Sequence, residues 1–134
     1  MSQSPHRPRL LAIVDQGGYP DYGAVYLAAG FVPETVHGMR KGIARFQALA
    51  PDVVVTEFVL NTQFSFRIGN LESLMGALQR QKGQARLILL VDRETEPQLA
   101  LIEARYPVFE KLFFPVDHDA LRAAVERAAN ACNA

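Results

Sequence analysis

The chain has 134 residues, 49% of them hydrophobic, enough for one domain to bury a core of its own without metal or disulfide support. Lysine plus arginine and aspartate plus glutamate balance at 14 each, so net charge draws in neither nucleic acid nor an anionic membrane surface. The lone cysteine, Cys132, excludes an internal disulfide, and no long apolar span marks a membrane segment, so a cytoplasmic protein is expected.

Residues 1–8 are polar and proline-containing and read as a disordered tail with no export signal. The domain is expected over 9–129, with 130–134 as a C-terminal tail. Leu10 to Val14 is a short unbroken apolar run, the pattern of a fully buried strand, and it ends at Asp15 before the turn residues Gln16, Gly17 and Gly18. Neither phosphate-loop pattern can be drawn through those glycines, so they read as a turn. Tyr22, Val25, Tyr26 and Ala29 recur at helical spacing from Asp21 to Ala29, and Gly30 is placed to stop that helix. Phe31 to His37 reads as a second strand in which Pro33 withholds a ladder donor and so suits a sheet edge.

Ile43, Phe46, Leu49 and Ala50 share one face of a helix over 40–50, ended by Pro51, whose ring disfavours helix before it. Val53-Val54-Val55 is β-branched throughout and runs into Thr56, Glu57 and Phe58, as a central parallel strand covered on both faces does. Residues 61–69 lack a helical period. Asn70 is then placed to cap a helix with Leu71, Leu74, Met75 and Leu78 on one face and Gly83 at its close. Leu87 to Val91 is a fourth strand ending at Asp92, followed by a helix over 95–104 that Tyr106-Pro107 breaks. Val108 to Phe114 reads as the fifth strand. Pro115 ends it, and Asp117 caps a last helix that turns Leu121, Ala124, Val125 and Ala128 inward.

Strict strand-helix alternation with short buried strands requires a parallel sheet with helices on both faces, because each crossover is right-handed and un-knotted. The fold class is therefore α/β, a doubly wound five-stranded sheet. Ligands and chemistry gather at the carboxyl ends of such strands, which here carry Asp15-Gln16, Glu57, Val91-Asp92 and Phe114-Pro115.

Two of those segments, Arg9 to Gln16 (RLLAIVDQ) and Pro51 to Glu57 (PDVVVTE), resemble the first and third strands of the receiver domain of bacterial response regulators, the CheY-like family. The resemblance runs from about residue 9 to residue 128. It implies the flavodoxin-like strand order 2-1-3-4-5 and a site built from an aspartate nucleophile, magnesium, a threonine or serine hydroxyl and a lysine. Carried onto this sequence, Asp15 keeps the first of two acids, Gln16 replaces the second, Glu57 stands for the nucleophile, Val91 for the hydroxyl residue and Phe114 for the lysine. A neutral amide holds a hard cation less well than a carboxylate. An extra methylene at Glu57 misaligns an attack tuned for aspartate. The expectation is a degenerate phosphoacceptor pocket with no catalytic residue, no metal and no cofactor. The loop after Glu57 also reads as about four residues longer than the family's usual spacing, and it lacks the expected proline.

The resemblance thus implies a stand-alone pseudo-receiver, a signalling module that acts through protein contacts without aspartyl phosphorylation and is not an enzyme. Its partner would be a kinase, an output domain, a chemotaxis-type protein or a second copy of itself. The surface receivers commonly use, the fourth helix with the fifth strand and fifth helix, would here include Leu99, Ile102, Tyr106, Phe113 and Leu121, several of which must serve the core instead. Phe64 and Phe66 flank Ser65 in the long loop, as an anchor for a partner or as a cover for the altered pocket beside Phe114. Glu57 is either a built-in mimic of the phosphorylated state or a solvated or hydrogen-bonded acid. Asp15 with Glu57 makes an acid/base pair with no nucleophile beside it. His6, His37 and His118 lack metal-ligand spacing and read as surface residues.

Two other readings stay open. One is a small-molecule sensor with an apolar cleft lined by Phe114, Val91 and Tyr19. Cobalamin-binding domains share this architecture, and the segment from Asp15 to Phe31 is similar to their signature but has no histidine at the required place. The other is a receiver with weak residual phosphotransfer to Glu57 or Asp15.

Overall fold

A computed structural model describes residues 8–14, 22–58, 67–80, 85–93, 96–106 and 108–133. Five strands and five helices alternate along it: β1 (Arg9–Val14), α1 (Gly23–Ala28), β2 (Val32–His37), α2 (Met39–Leu49), β3 (Val53–Phe58), α3 (Arg67–Arg80), β4 (Arg86–Val91), α4 (Glu96–Glu103), β5 (Glu110–Phe113) and α5 (His118–Asn133). The strands form one sheet in the order β2-β1-β3-β4-β5, every pair parallel.

Parallel strands feed helices to both faces, and alternation along each strand splits the core into two. Leu11, Ile13, Val54, Leu87, Leu89 and Val91 point to one side, where Phe46 of α2, Leu74, Met75 and Ala77 of α3 and Leu99 of α4 cover them. Leu10, Ala12, Val53, Val55, Ile88 and Leu90 point to the other, beneath Tyr22, Tyr26 of α1 and Leu121, Ala124, Val125 and Ala128 of α5. Thus α2, α3 and α4 share one face, and α1 and α5 share the opposite one.

Local chemistry fixes where the elements stop. At the end of α1 the Phe31 N–H donates to the Tyr26 carbonyl and the Gly30 N–H to the Leu27 carbonyl, while Gly30 sits at φ 95°. This is the Schellman closure, which needs a left-handed residue where glycine has no side-chain penalty. In β2 the Val32 N–H donates to Pro8 O and the Gly38 N–H to Val14 O, both toward β1. Pro33, offset by one residue, has its missing donor on the outer edge, where no ladder bond is lost. At the amino end of the sheet the Arg9 N–H donates to Asp52 Oδ2 at 2.9 Å, the Asp52 N–H to Arg9 O and the Arg86 N–H to Asp52 O. Asp52 therefore ties β1, β3 and β4 together. Arg45 of α2 forks onto Glu34 of β2 at 2.5 and 2.8 Å, and Arg127 of α5 onto Glu110 of β5 at 2.9 and 2.7 Å.

Several boundaries differ from the sequence reading. Helix α3 begins at Arg67, so Asn70 lies inside it rather than at its cap, and the first turn forms without an amphipathic signal in 67–69. Helix α1 begins at Gly23, and Asp21, where the sequence reading starts it, lies outside the described residues. Strand β5 is shorter than expected, Glu110–Phe113, and α5 continues to Asn133, so most of the expected C-terminal tail is helix. Asp117 does cap α5, its Oδ2 accepting the Ala120 N–H at 2.9 Å.

Helix α2 lies so close to β1 that a β-carbon built on Gly42 would come within 2.7 Å of the Ile13 side chain. Ile13 is buried and β-branched and has little freedom to give way. Gly42→Ala is expected to destabilise the fold by about 1–3 kcal/mol through overpacking, although alanine favours helix over glycine by about 1 kcal/mol. Urea unfolding of the variant checks the sign.

The Glu34 carboxyl is held below its ordinary range, first by the hydrogen bonds from Arg45, against a smaller opposing effect of burial. A depressed folded-state value gives stability that is present above the unfolded value of about 4.3 and is lost as pH falls through the folded one. Native protein is therefore expected to be slightly more stable than Glu34→Gln at pH 7, with the difference vanishing in acid. Paired melts from pH 7 to pH 2.5 measure it.

Candidate functional site

The carboxyl ends of β1, β3, β4 and β5 converge at the crevice where strand order reverses between β1 and β3. Glu57 is the penultimate residue of β3, opposite Leu90 of β4, and is only 5% exposed. By alternation it shares the face of Val53 and Val55, toward α1 and α5. Thr56 before it is also buried, and its hydroxyl donates to the Ile13 carbonyl at 3.0 Å, fastening the end of β3 to β1. Glu57 and Thr56 are the polar side chains among the described buried residues, so the acid is placed by a strand clamped on both sides.

Val91, the last residue of β4, is fully buried and belongs to the opposite core, beneath α2 to α4. It lines no cleft beside Glu57. Phe114 follows β5, donates its N–H to Val91 O at 2.9 Å, and packs half-buried against the α1 and α5 side; its bond to Pro115 is cis. The structure thus brings Glu57 and Phe114 to one side of the sheet and puts Val91 on the other. Tyr22 and His118 flank that shared side, their rings edge to face with centroids 5.5 Å apart. Burial raises the Tyr22 hydroxyl above its ordinary value. Tyr22 and His118 were not grouped by the sequence, because they lie 96 positions apart and only the α1–α5 packing joins them.

Asp15, Gln16, Tyr19, Phe64 and Phe66, together with His6, lie outside the described residues. His37 and His118 are exposed, as read from sequence. Of the surface proposed for partner contact, Leu99 is corrected to the core: it is fully buried with Val91 and Leu89 on the α2–α4 side, and Leu121 is fully buried on the α1–α5 side, the inward position read for it in α5. Tyr106 and Phe113 are half-buried against the α2–α4 core, with the Arg93 guanidinium 4.8 Å above the Phe113 ring. Ile102 lies on α4, and its side chain is not among those described. Leu101, next to it, is 68% exposed. Among the described residues no group of three histidine, cysteine or acidic side chains is spaced to hold a metal, and no helix is long and apolar enough to cross a membrane.

This architecture is that of the response-regulator receiver, the CheY-like version of the flavodoxin fold. The signal receiver domain of a protein assigned as a LuxO repressor from Vibrio parahaemolyticus superposes with a TM-score of 0.74 at 15% identity, over 96% of this chain and 94% of that one. A response regulator receiver domain protein from Clostridium thermocellum gives 0.70 at 18%, over 91% and 94%. The chemotaxis response regulator CheY4 of Vibrio cholerae gives 0.69 at 19%, over 92% and 99%. No protein-family model and no curated protein sequence matches the chain.

Thr56→Val keeps shape and removes the bond to Ile13 O. It is expected to cost about 1 kcal/mol and to raise amide exchange at the carboxyl ends of β1 and β3 before other strands, as read by hydrogen exchange.

Proposed function

We propose that this chain is a receiver-fold signalling module that works through protein contacts, without aspartyl phosphorylation and without enzymatic turnover. The reading rests chiefly on the strand ends: a fully buried valine on the far face and a core-packed phenylalanine occupy the positions where the receiver resemblance calls for a hydroxyl and a lysine. Neither side chain can neutralise a phosphoryl group, and stabilising charge there is where phosphoryl transfer draws most of its rate. Glu57 adds a second obstacle, since a nucleophile 5% exposed is closed to in-line approach by a donor. On this reading the crevice keeps receiver geometry and gives up receiver chemistry. The partner is a protein of a signalling pathway, such as a kinase or an output domain, met in the cytoplasm.

The test is titration with magnesium and beryllofluoride, followed by amide NMR. No saturable change is expected at Glu57, Val91 or Phe114. Saturable shifts at those amides would establish a working phosphoryl site and overturn the reading.

A further inference from the structure

The outward face of α2 carries charge where the helix itself is least able to hold it. A helix begins at the positive end of its backbone dipole, where acids are stabilising and cations cost free energy. Yet α2 opens with Arg40 and Lys41, and its first turn has no acidic residue and no side-chain cap. Lys41 also stands four residues before Arg45, a like-charge spacing on one helical face that destabilises further. Arg40 and Lys41 are exposed, as is His37 at the end of β2. Arg45, Lys111, Arg122 and Arg127 each pair with a glutamate, whereas Arg40 and Lys41 enter no ion pair among the described residues.

The face is held rigidly on the sheet. The Gly38 N–H donates to Val14 O at 2.8 Å and pins the start of α2 to β1, and Gly42 lets the helix lie flush on Ile13. The Arg45 fork onto Glu34 fastens the next turn to β2. Beyond the two cations, the exposed positions are Ala44, Gln47 and Ala48, and no residue of α2 is acidic. An acidic chain can therefore lie along this helix without meeting like charge on it.

We infer that this face of α2 is a docking surface for an acidic segment of a protein partner, with Arg40 and Lys41 receiving its carboxylates. The inference rests on the reading that the chain works through protein contacts, and it gives one such contact a place and a chemistry. Anionic membranes are held by clusters of about 4–8 lysines and arginines, and nucleic acids by about 6–10 phosphate contacts. Two unpaired cations on a chain whose 14 basic and 14 acidic residues balance match neither. They do match carboxylates presented at a fixed spacing, where complementary charge sets orientation and partner choice.

Amide NMR titration of the full chain at low salt tests it, with oligoglutamate as the probe and oligoglutamine as its neutral control. Saturable shifts are expected within residues 37–48 for oligoglutamate alone. Arg40→Gln with Lys41→Gln should weaken binding by about 2- to 30-fold, the range for two exposed ion pairs, while raising the melting temperature by roughly 2–5 °C because the dipole conflict is gone. Weaker binding in a more stable protein is a result that a purely structural role for these cations does not give. Arg122→Gln on α5 should leave binding unchanged. The inference is overturned by shifts scattered outside α2, by undiminished binding or a lowered melting temperature in the double variant, or by duplex DNA or phosphatidylserine vesicles acting on the same amides at lower concentration than oligoglutamate. The crevice test reads Glu57, Val91 and Phe114 instead, so failure of either reading is seen separately.

Discussion

Burial of β3 on both faces is the constraint on which the rest of the molecule depends. Val53, Val54 and Val55 are almost wholly excluded from water, so each of this strand's two faces must be covered by helices arriving from opposite sides. A parallel neighbour on each edge satisfies its backbone, and the crossovers to those neighbours fix the switch in strand order beside it. Asp52 clamps the amino end by bonding to β1 and β4, and Thr56 clamps the carboxyl end by bonding to β1. The position of Glu57 follows from these two clamps.

A scaffold set this firmly carries apolar side chains out to its rim. Valine and phenylalanine at the ends of β4 and β5 extend the two cores upward, since each side chain finds an apolar neighbour already present on its face.

The strand-helix alternation and a parallel sheet covered on both faces are legible because they come from apolar runs, which β1, β3 and β4 display without interruption, whereas the strand order came from the receiver resemblance. Pro33 and Asp117 were legible for a related reason: an edge proline and an N-cap aspartate each act within a few residues of themselves. Where the sequence misled, the deciding contact was distant. Leu99 was taken for surface because a short helix with apolar residues all round gives no period to tell inner from outer positions. Val91 enters the pocket through the receiver resemblance, and only register in the sheet reveals which face it takes. The Arg67 start of α3 had no cap signal, and the pairing of Tyr22 with His118 exists only once α1 and α5 have packed.

Pro33 has an effect beyond the placement of β2. An edge strand offers a template on which a second chain can add by backbone pairing alone, regardless of side-chain fit. With proline on the outward side, that template lacks a donor near its beginning, and an incoming strand cannot close a continuous ladder there. The domain can therefore be crowded, or tethered beside others of its kind, with this border of the sheet resisting fibrillar growth. Association is steered instead toward side-chain surfaces, where recognition is selective.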